Sequence, residues 1–155
     1  MLLGNLLKSI DRDHKKINIK GISFDSRKVK KNYIFFAIKG ERLSGTDFVK
    51  EAILKGASVI VSEERKIYKT NKVVILVVKD IRKSLTEACS NFYKKKPKNI
   101  IAVTGTNGKS SVADFFYQIL KNNKISVASI GTLGINSKKY NKRLHLTTVD
   151  PLLLH

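Results

Sequence analysis

Residues 99–120, NIIAVTGTNGKSSVADFFYQIL, set a lysine and two serines directly after a short glycine-bearing turn. A β-branched apolar run precedes the turn and an amphipathic run follows it. This order suits a phosphate site. Successive backbone N–H groups of the turn converge on phosphate oxygens, the glycines let the backbone come close, and the following helix adds positive potential. The stretch comprises Gly105, Thr106, Asn107, Gly108, Lys109, Ser110 and Ser111. In such a loop Lys109 neutralises the β- and γ-phosphates as the catalytic residue, and the Ser110 hydroxyl is the metal ligand, holding Mg²⁺. The expected cofactors are therefore ATP and Mg²⁺. Val103 stands where the full G-x-x-x-x-G-K-[ST] pattern has its first glycine. Gly-Lys-Ser alone is a weak signal, and the flanking strand and helix patterns strengthen it. A plain strand–turn–helix connection is the alternative.

Such a loop needs a sheet in front of it and a helix behind it, and the rest of the sequence alternates in that way. Leu2, Leu3, Leu6, Leu7 and Ile10 share a helical face in a short first segment. INIKGISFDSRKV (17–29) reads as a strand running into a polar turn, and YIFFAIKG (33–40) as a buried strand closed by Gly40. Thr46 is placed to cap a helix over DFVKEAILKG, with Gly56 just past its end. ASVIVSE (57–63) and VVILVV (73–78) read as strands buried on both faces, as in a parallel sheet. Residues 80–95 repeat apolar positions at helical spacing, including Cys89, Phe92 and Tyr93. Pro97 within KKKPK ends that helix. A boundary near residue 97 gives two domains, 1–97 and 98–155. The second begins with a strand at 100–104, the loop, a helix to about 121 and a strand at 125–130. Pro151 opens a further helix. The class is α/β with a mainly parallel sheet.

Composition narrows the function. The chain has 155 residues and a formal net charge of +19. That charge suits nucleic acid, but 25 lysines stand against 6 arginines and are scattered along the chain. Base readers favour arginine's bidentate geometry, so no specific nucleic-acid partner is expected. The run Lys94–Lys98 reads as a solvated linker. One cysteine, Cys89, excludes an internal disulfide framework and suits a reducing cytoplasm, with the thiol in the core. No apolar run reaches the length of a membrane span. His14, His145 and His155 lack a second ligand at metal spacing, and Tyr33, Phe35 and Phe36 read as sheet core.

Taken together, VTGTNGKSS, FDSRKVKKNYIFFAIKGERLSGTDFVKEAILKGASVIVSE, SIGTLG and LTTVDPLLLH resemble the Mur ligases. The usual loop there is TGTNGKTT, so Ser110 and Ser111 replace two threonines and keep the hydroxyls. The loop alone is also similar to that of the folylpolyglutamate synthetases. The second stretch resembles the N-terminal uridine-nucleotide domain of the members that add the third residue and the terminal dipeptide. SIGTLG and LTT resemble the member that adds the third amino acid, where LTT is usually followed by Pro. Here Val149 takes that place and Asp150 follows.

The resemblance implies a small α/β uridine-nucleotide domain followed by the start of a P-loop parallel-sheet ATPase domain. It implies an ATP-dependent ligase of peptidoglycan synthesis, acting on UDP-N-acetylmuramoyl-L-alanyl-D-glutamate. ATP would phosphorylate the free carboxylate, and a diamino acid, meso-diaminopimelate or lysine, would attack the acyl phosphate. Phe24 and Ser26 match positions that contact the uridine nucleotide, with Ser26 meeting a diphosphate oxygen through its hydroxyl or backbone. Glu41–Leu43 match a second nucleotide-contacting segment, and Thr147 and Thr148 match positions that hold the muramyl peptide. Without the resemblance, Ser26 is a turn-former, Asp25 and Arg27 a pair that fixes the turn, and Thr147 and Thr148 helix caps. The family's remaining metal, lysine and amino-acid-selecting residues would lie beyond residue 155. The chain is therefore expected to be a truncated part that binds its substrate without ligating, as a monomer that could self-associate through Leu152–Leu154. A dipeptide-adding relative and a non-catalytic nucleotide- or nucleic-acid-binding remnant are the alternatives.

Overall fold

A computed structural model of the chain describes residues 1–8, 10–40, 43–64, 73–144 and 150–154. The chain divides into two compact units, Met1–Lys96 and Pro97–Leu154.

The first unit is built on a four-stranded parallel sheet in the order β1 (Gly21–Ser23), β2 (Tyr33–Phe36), β3 (Ala57–Ser62), β4 (Val74–Val77). Ile22 pairs with Ile34, Phe35 with Ile60, and Val61 with Leu76. The consecutive residues Ile34, Phe35, Phe36 and Ala37 are all buried, as are Val59, Ile60 and Val61. Side chains alternate across a strand, so consecutive burial means that β2 and β3 are covered on both faces. Helix α1 (Val49–Leu54) covers one face, where Val49 and Ala52 pack with Val29, Phe35, Ala57 and Ile60. Helix α2 (Ile81–Phe92) buries Ile81, Leu85, Ala88 and Cys89. The Asn91 side-chain amide donates to the Leu6 carbonyl at 2.9 Å, which ties α2 to the N-terminal segment and its buried Leu3, Leu6 and Leu7.

Several elements are shorter than the sequence patterns predict. The leucine-rich start forms one 3-10 turn, Leu3–Asn5, instead of a helix over 2–10, and Leu2 bridges to Asn18. Its amides bond across to residues 15–19: Leu3 donates to the Ile17 carbonyl and Gly4 to that of Lys15. Thr46 caps no helix. It sits in a 3-10 turn, Gly45–Phe48, with its hydroxyl 2.7 Å from that of Ser44, and α1 starts only at Val49. A Cβ on Gly45 would stand 2.5 Å from the Ala37 and Ile38 backbone, so the turn is pressed onto the end of β2. Among the described residues β4 pairs on one side only, and it is half-exposed, with Val77 at 47% exposure, where burial on both faces was expected. Helix α2 ends at Phe92, its start capped by Asp80, whose carboxylate accepts from the Lys83 amide at 2.8 Å.

The second unit carries helix α3 (Lys109–Asn122) and an antiparallel sheet of β5 (Ala128–Gly131), β6 (Gly134–Ser137) and β7 (Asn141–Lys142). Residues 100–104, expected as a strand, pair with no strand among the described residues, and Ile101 is 63% exposed. A segment with no ladder partner has nothing to register it as a strand. Of the strand expected at 125–130 only the part from Ala128 forms, as β5, and it pairs antiparallel with β6 rather than within a parallel sheet. Asp150 caps α4 (Pro151–Leu154), accepting from the Leu153 amide at 2.9 Å, and Pro151 takes the first helical position as its fixed φ favours.

Burial separates the two units energetically. Phe35→Ala opens a large cavity at a fully buried site and is expected to destabilise the first unit by about 3–5 kcal/mol in urea unfolding. Phe115→Ala, at a residue 63% exposed, should change stability by less than about 0.5 kcal/mol. Equal effects would contradict the assignment of the core.

Candidate functional site

The second-unit site is the turn that opens α3. Gly108 is the residue before the helix and has φ 75°, a left-handed conformation that glycine adopts without steric cost. It provides no side-chain cap, so the first amides of α3 are left for other acceptors. A Cβ on Gly108 would meet nothing within 4 Å, so the turn is open on that side. Lys109 folds back over the turn, and its ammonium donates to the carbonyls of Gly105 at 2.6 Å and Thr106 at 3.1 Å. A loop that already wraps a cation can present the same cation to a phosphate. Residues Gly105–Gly108 are exposed, and Lys109 and Ser110 are half-buried. Among the described residues the hydroxyls of Ser110 and Ser111 have no partner, which leaves Ser110 available as an oxygen ligand. An open depression of about 600 Å³ lies against the C-terminal half of α3, lined by Tyr117, Lys121 and Asn136. It sits away from the turn and contains none of the loop residues.

The first-unit site lies at the carboxyl end of β1, the end at which open parallel sheets place their ligands. Ser23 is buried; its hydroxyl donates to the Asp25 carbonyl at 2.7 Å and accepts from the Asp25 amide at 3.1 Å. This ties the chain into a 3-10 turn, Ser26–Lys28, capped by the Asp25 carboxylate. Arg27 grips that carboxylate with two side-chain nitrogens, each at 2.9 Å. Phe24 is half-buried, while Ser26 is buried with 5% exposure. The Ser26 hydroxyl donates to Glu51 Oε2 at 2.6 Å, and the Lys55 ammonium donates to Glu51 Oε1 at 2.6 Å. The paired guanidinium holds the Asp25 carboxyl below its ordinary value. Hydrogen bonds from Lys55 and then from Ser26 do the same for Glu51.

The structure thus brings Ser26 together with Asp25 and Arg27, and assembles Gly105–Ser111 around Lys109. Thr147, Thr148, His145, His155, Glu41 and Arg42 lie outside the described residues. Glu51 and Lys55 were not singled out in the sequence. Their i,i+4 spacing marks an exposed helical pair, but that Glu51 reaches Ser26 depends on how α1 packs over the turn after β1. Among the described residues no group of three or more His, Cys, Asp or Glu gathers as a metal site. No helix among them is long and apolar enough to cross a membrane.

The depressed Asp25 pKa fixes the sign of its linkage to stability. The contribution of the pair is present above the unfolded-state pKa and is lost as pH falls through the folded value. In a carboxyl NMR titration, Arg27→Ala should move the Asp25 midpoint upward toward 3.8. An unchanged midpoint would show that Arg27 does not hold this carboxylate.

Residues 18–93 match the family described as "Mur ligase family, catalytic domain", and residues 103–155 match "Mur ligase middle domain". The UDP-N-acetylmuramoyl-L-alanyl-D-glutamate–2,6-diaminopimelate ligase of Rickettsia conorii is 43% identical over 150 residues, which cover 94% of this chain and 30% of that protein. A second ligase of the same name, from Clostridium acetobutylicum, is 38% identical over 97% of this chain and 32% of its own length. A solved structure of UDP-N-acetylmuramoyl-L-alanyl-D-glutamate–2,6-diaminopimelate ligase superposes with a TM-score of 0.76 at 28% identity, covering 99% of this chain and 32% of that one. The MurF ligase of Thermotoga maritima, solved with ADP, gives a TM-score of 0.53 at 28% identity over 65% of this chain and 23% of its own. The chain spans about a third of the length of the diaminopimelate ligases and less than a quarter of that MurF ligase.

Proposed function

Because the chain belongs to the Mur ligase family, we propose that it carries the substrate-binding and phosphate-binding parts of the ligase that adds a diamino acid to UDP-N-acetylmuramoyl-L-alanyl-D-glutamate. That reaction builds the peptide of peptidoglycan. Residues 1–97 are the uridine-nucleotide domain, and residues 98–155 belong to the ATP-binding domain. The observation that carries this reading is the turn Gly105–Ser111. Its left-handed Gly108, uncapped helix start and enclosed Lys109 suit a triphosphate, in a chain 43% identical to a diaminopimelate-adding ligase.

Each residue then has a task. Lys109 gives up the carbonyls of Gly105 and Thr106 and meets the β- and γ-phosphates, while the amides at the start of α3 hold phosphate oxygens. Ser110 supplies an oxygen to Mg²⁺, which when bound offsets the phosphate charge. Phe24 packs against the uridine nucleotide at the end of β1, and Ser26 meets its diphosphate. Thr147 and Thr148 hold the muramyl peptide. Transfer of a phosphoryl group to a carboxylate needs a site from which water is excluded. The Gly105–Gly108 turn is exposed, so this chain by itself binds without ligating. The similarity to the dipeptide-adding MurF is lower in coverage, 65% of the chain against 99%, which favours the diamino-acid reading.

Calorimetric titration tests the two sites separately. The chain is expected to bind UDP-N-acetylmuramoyl-L-alanyl-D-glutamate, and more weakly ATP with Mg²⁺. Lys109→Ala should weaken ATP binding about tenfold or more, by removing a charge-assisted contact, and leave the uridine ligand unaffected. Amide formation by the chain alone, or a Lys109→Ala effect on the uridine ligand, would contradict the proposal. So would binding governed only by salt with no preference for the uridine compound.

A further inference from the structure

Ser26 is buried, yet the preceding reading needs it to meet an anion. Its hydroxyl has a single proton, and that proton is given to Glu51 Oε2 at 2.6 Å. A diphosphate oxygen is an acceptor only, so it can take this hydrogen bond only if Glu51 releases it. Glu51 is fixed from its other oxygen by Lys55, also at 2.6 Å, in a pair whose side chains are 40% and 37% exposed. The carboxylate therefore stands over a serine with 5% exposure and can swing outward into solvent. Lys55 lies four residues on, at the C-terminal cap of α1, where it can keep the carboxylate after it leaves Ser26. The cations nearby, Arg27 and Lys28, stand on the turn itself, with Arg27 engaged by Asp25.

We propose that Glu51 is a positioning residue that competes with the nucleotide's diphosphate for the Ser26 hydroxyl, so that binding requires the carboxylate to hand this proton over and withdraw toward Lys55. The inference rests on the reading that Ser26 contacts the uridine diphosphate, and that it does so through its hydroxyl. Glu51 thereby sets the affinity for that anion against neutral or donor-bearing ligands, and it blocks the serine until a competing acceptor arrives.

A double-mutant cycle separates this competition from simple charge repulsion. Wild type, Glu51→Gln, Ser26→Ala and the double variant are titrated with UDP-N-acetylmuramoyl-L-alanyl-D-glutamate at neutral pH and moderate salt. Urea unfolding checks that each is folded. A neutral amide holds the serine proton less strongly than a carboxylate, so Glu51→Gln should tighten binding roughly fivefold. The same change in the Ser26→Ala background should have no effect, because no hydroxyl is left to compete for. An equal gain in both backgrounds would reduce Glu51 to a nearby negative charge and overturn the inference. A loss of affinity in Glu51→Gln would also overturn it. No binding by wild type would overturn the uridine-nucleotide reading itself, and the inference with it; that outcome is distinct from binding that Glu51→Gln fails to improve.

Discussion

The burial of β2 and β3 on both faces is the constraint from which the first unit follows. A parallel pair cannot be closed by a tight hairpin, so each connection must travel back along the sheet. The connections must also cover it, since seven consecutive-type positions from Ile34 to Ala37 and Val59 to Val61 are buried. Helix α1 meets that need on one face. Every strand then points its carboxyl end the same way. The turn after β1, with Phe24 and Ser26, lies at that end, and α1 reaches it from the β2–β3 connection to place Glu51 and Lys55 beside it. The ligand end and the core are thus two consequences of one arrangement.

The second unit lacks that constraint among its described residues. α3 buries only Tyr117, and Val112, Phe115, Phe116 and Ile119 are exposed. The turn at its start nevertheless holds its shape, because that shape is local. It depends on Gly108 in a left-handed conformation, on Lys109 bonded to two carbonyls of its own loop, and on the helix that follows. A phosphate-binding turn is in this sense a short-range structure, whereas the end of β1 is a long-range one.

That difference explains what could be read in the sequence. The turn from Gly105 to Gly108 and the helix start behind it were legible because their residues are contiguous and glycine suits the left-handed conformation of Gly108. The β3 strand, the presence of α2 and the extent of α3 were legible from periodicity. The leucine-rich start read as a helix because Leu3, Leu6 and Leu7 recur at helical spacing, but only one turn forms, since the Leu3 and Gly4 amides bond to the Ile17 and Lys15 carbonyls while those of Leu6 and Leu7 return to Leu3. β4 read as a doubly buried strand because an edge strand and a central one share the same apolar run, and only pairing tells them apart. The strand expected at 100–104 has the right residues and no neighbour among the described residues. Glu51 carried no signal beyond a helical Glu–Lys pair, since its link to Ser26 spans 25 residues and exists only once α1 has packed.

The most direct test of the account is amide NMR of the isotopically labelled chain titrated with UDP-N-acetylmuramoyl-L-alanyl-D-glutamate. The account predicts saturable shifts centred on Phe24, Ser26 and Glu51, with the Gly105–Ser111 amides moving only when ATP and Mg²⁺ are added. Shifts confined to the lysine-rich stretch Lys94–Lys98, or shifts that scale with ligand charge and vanish with salt, would contradict it.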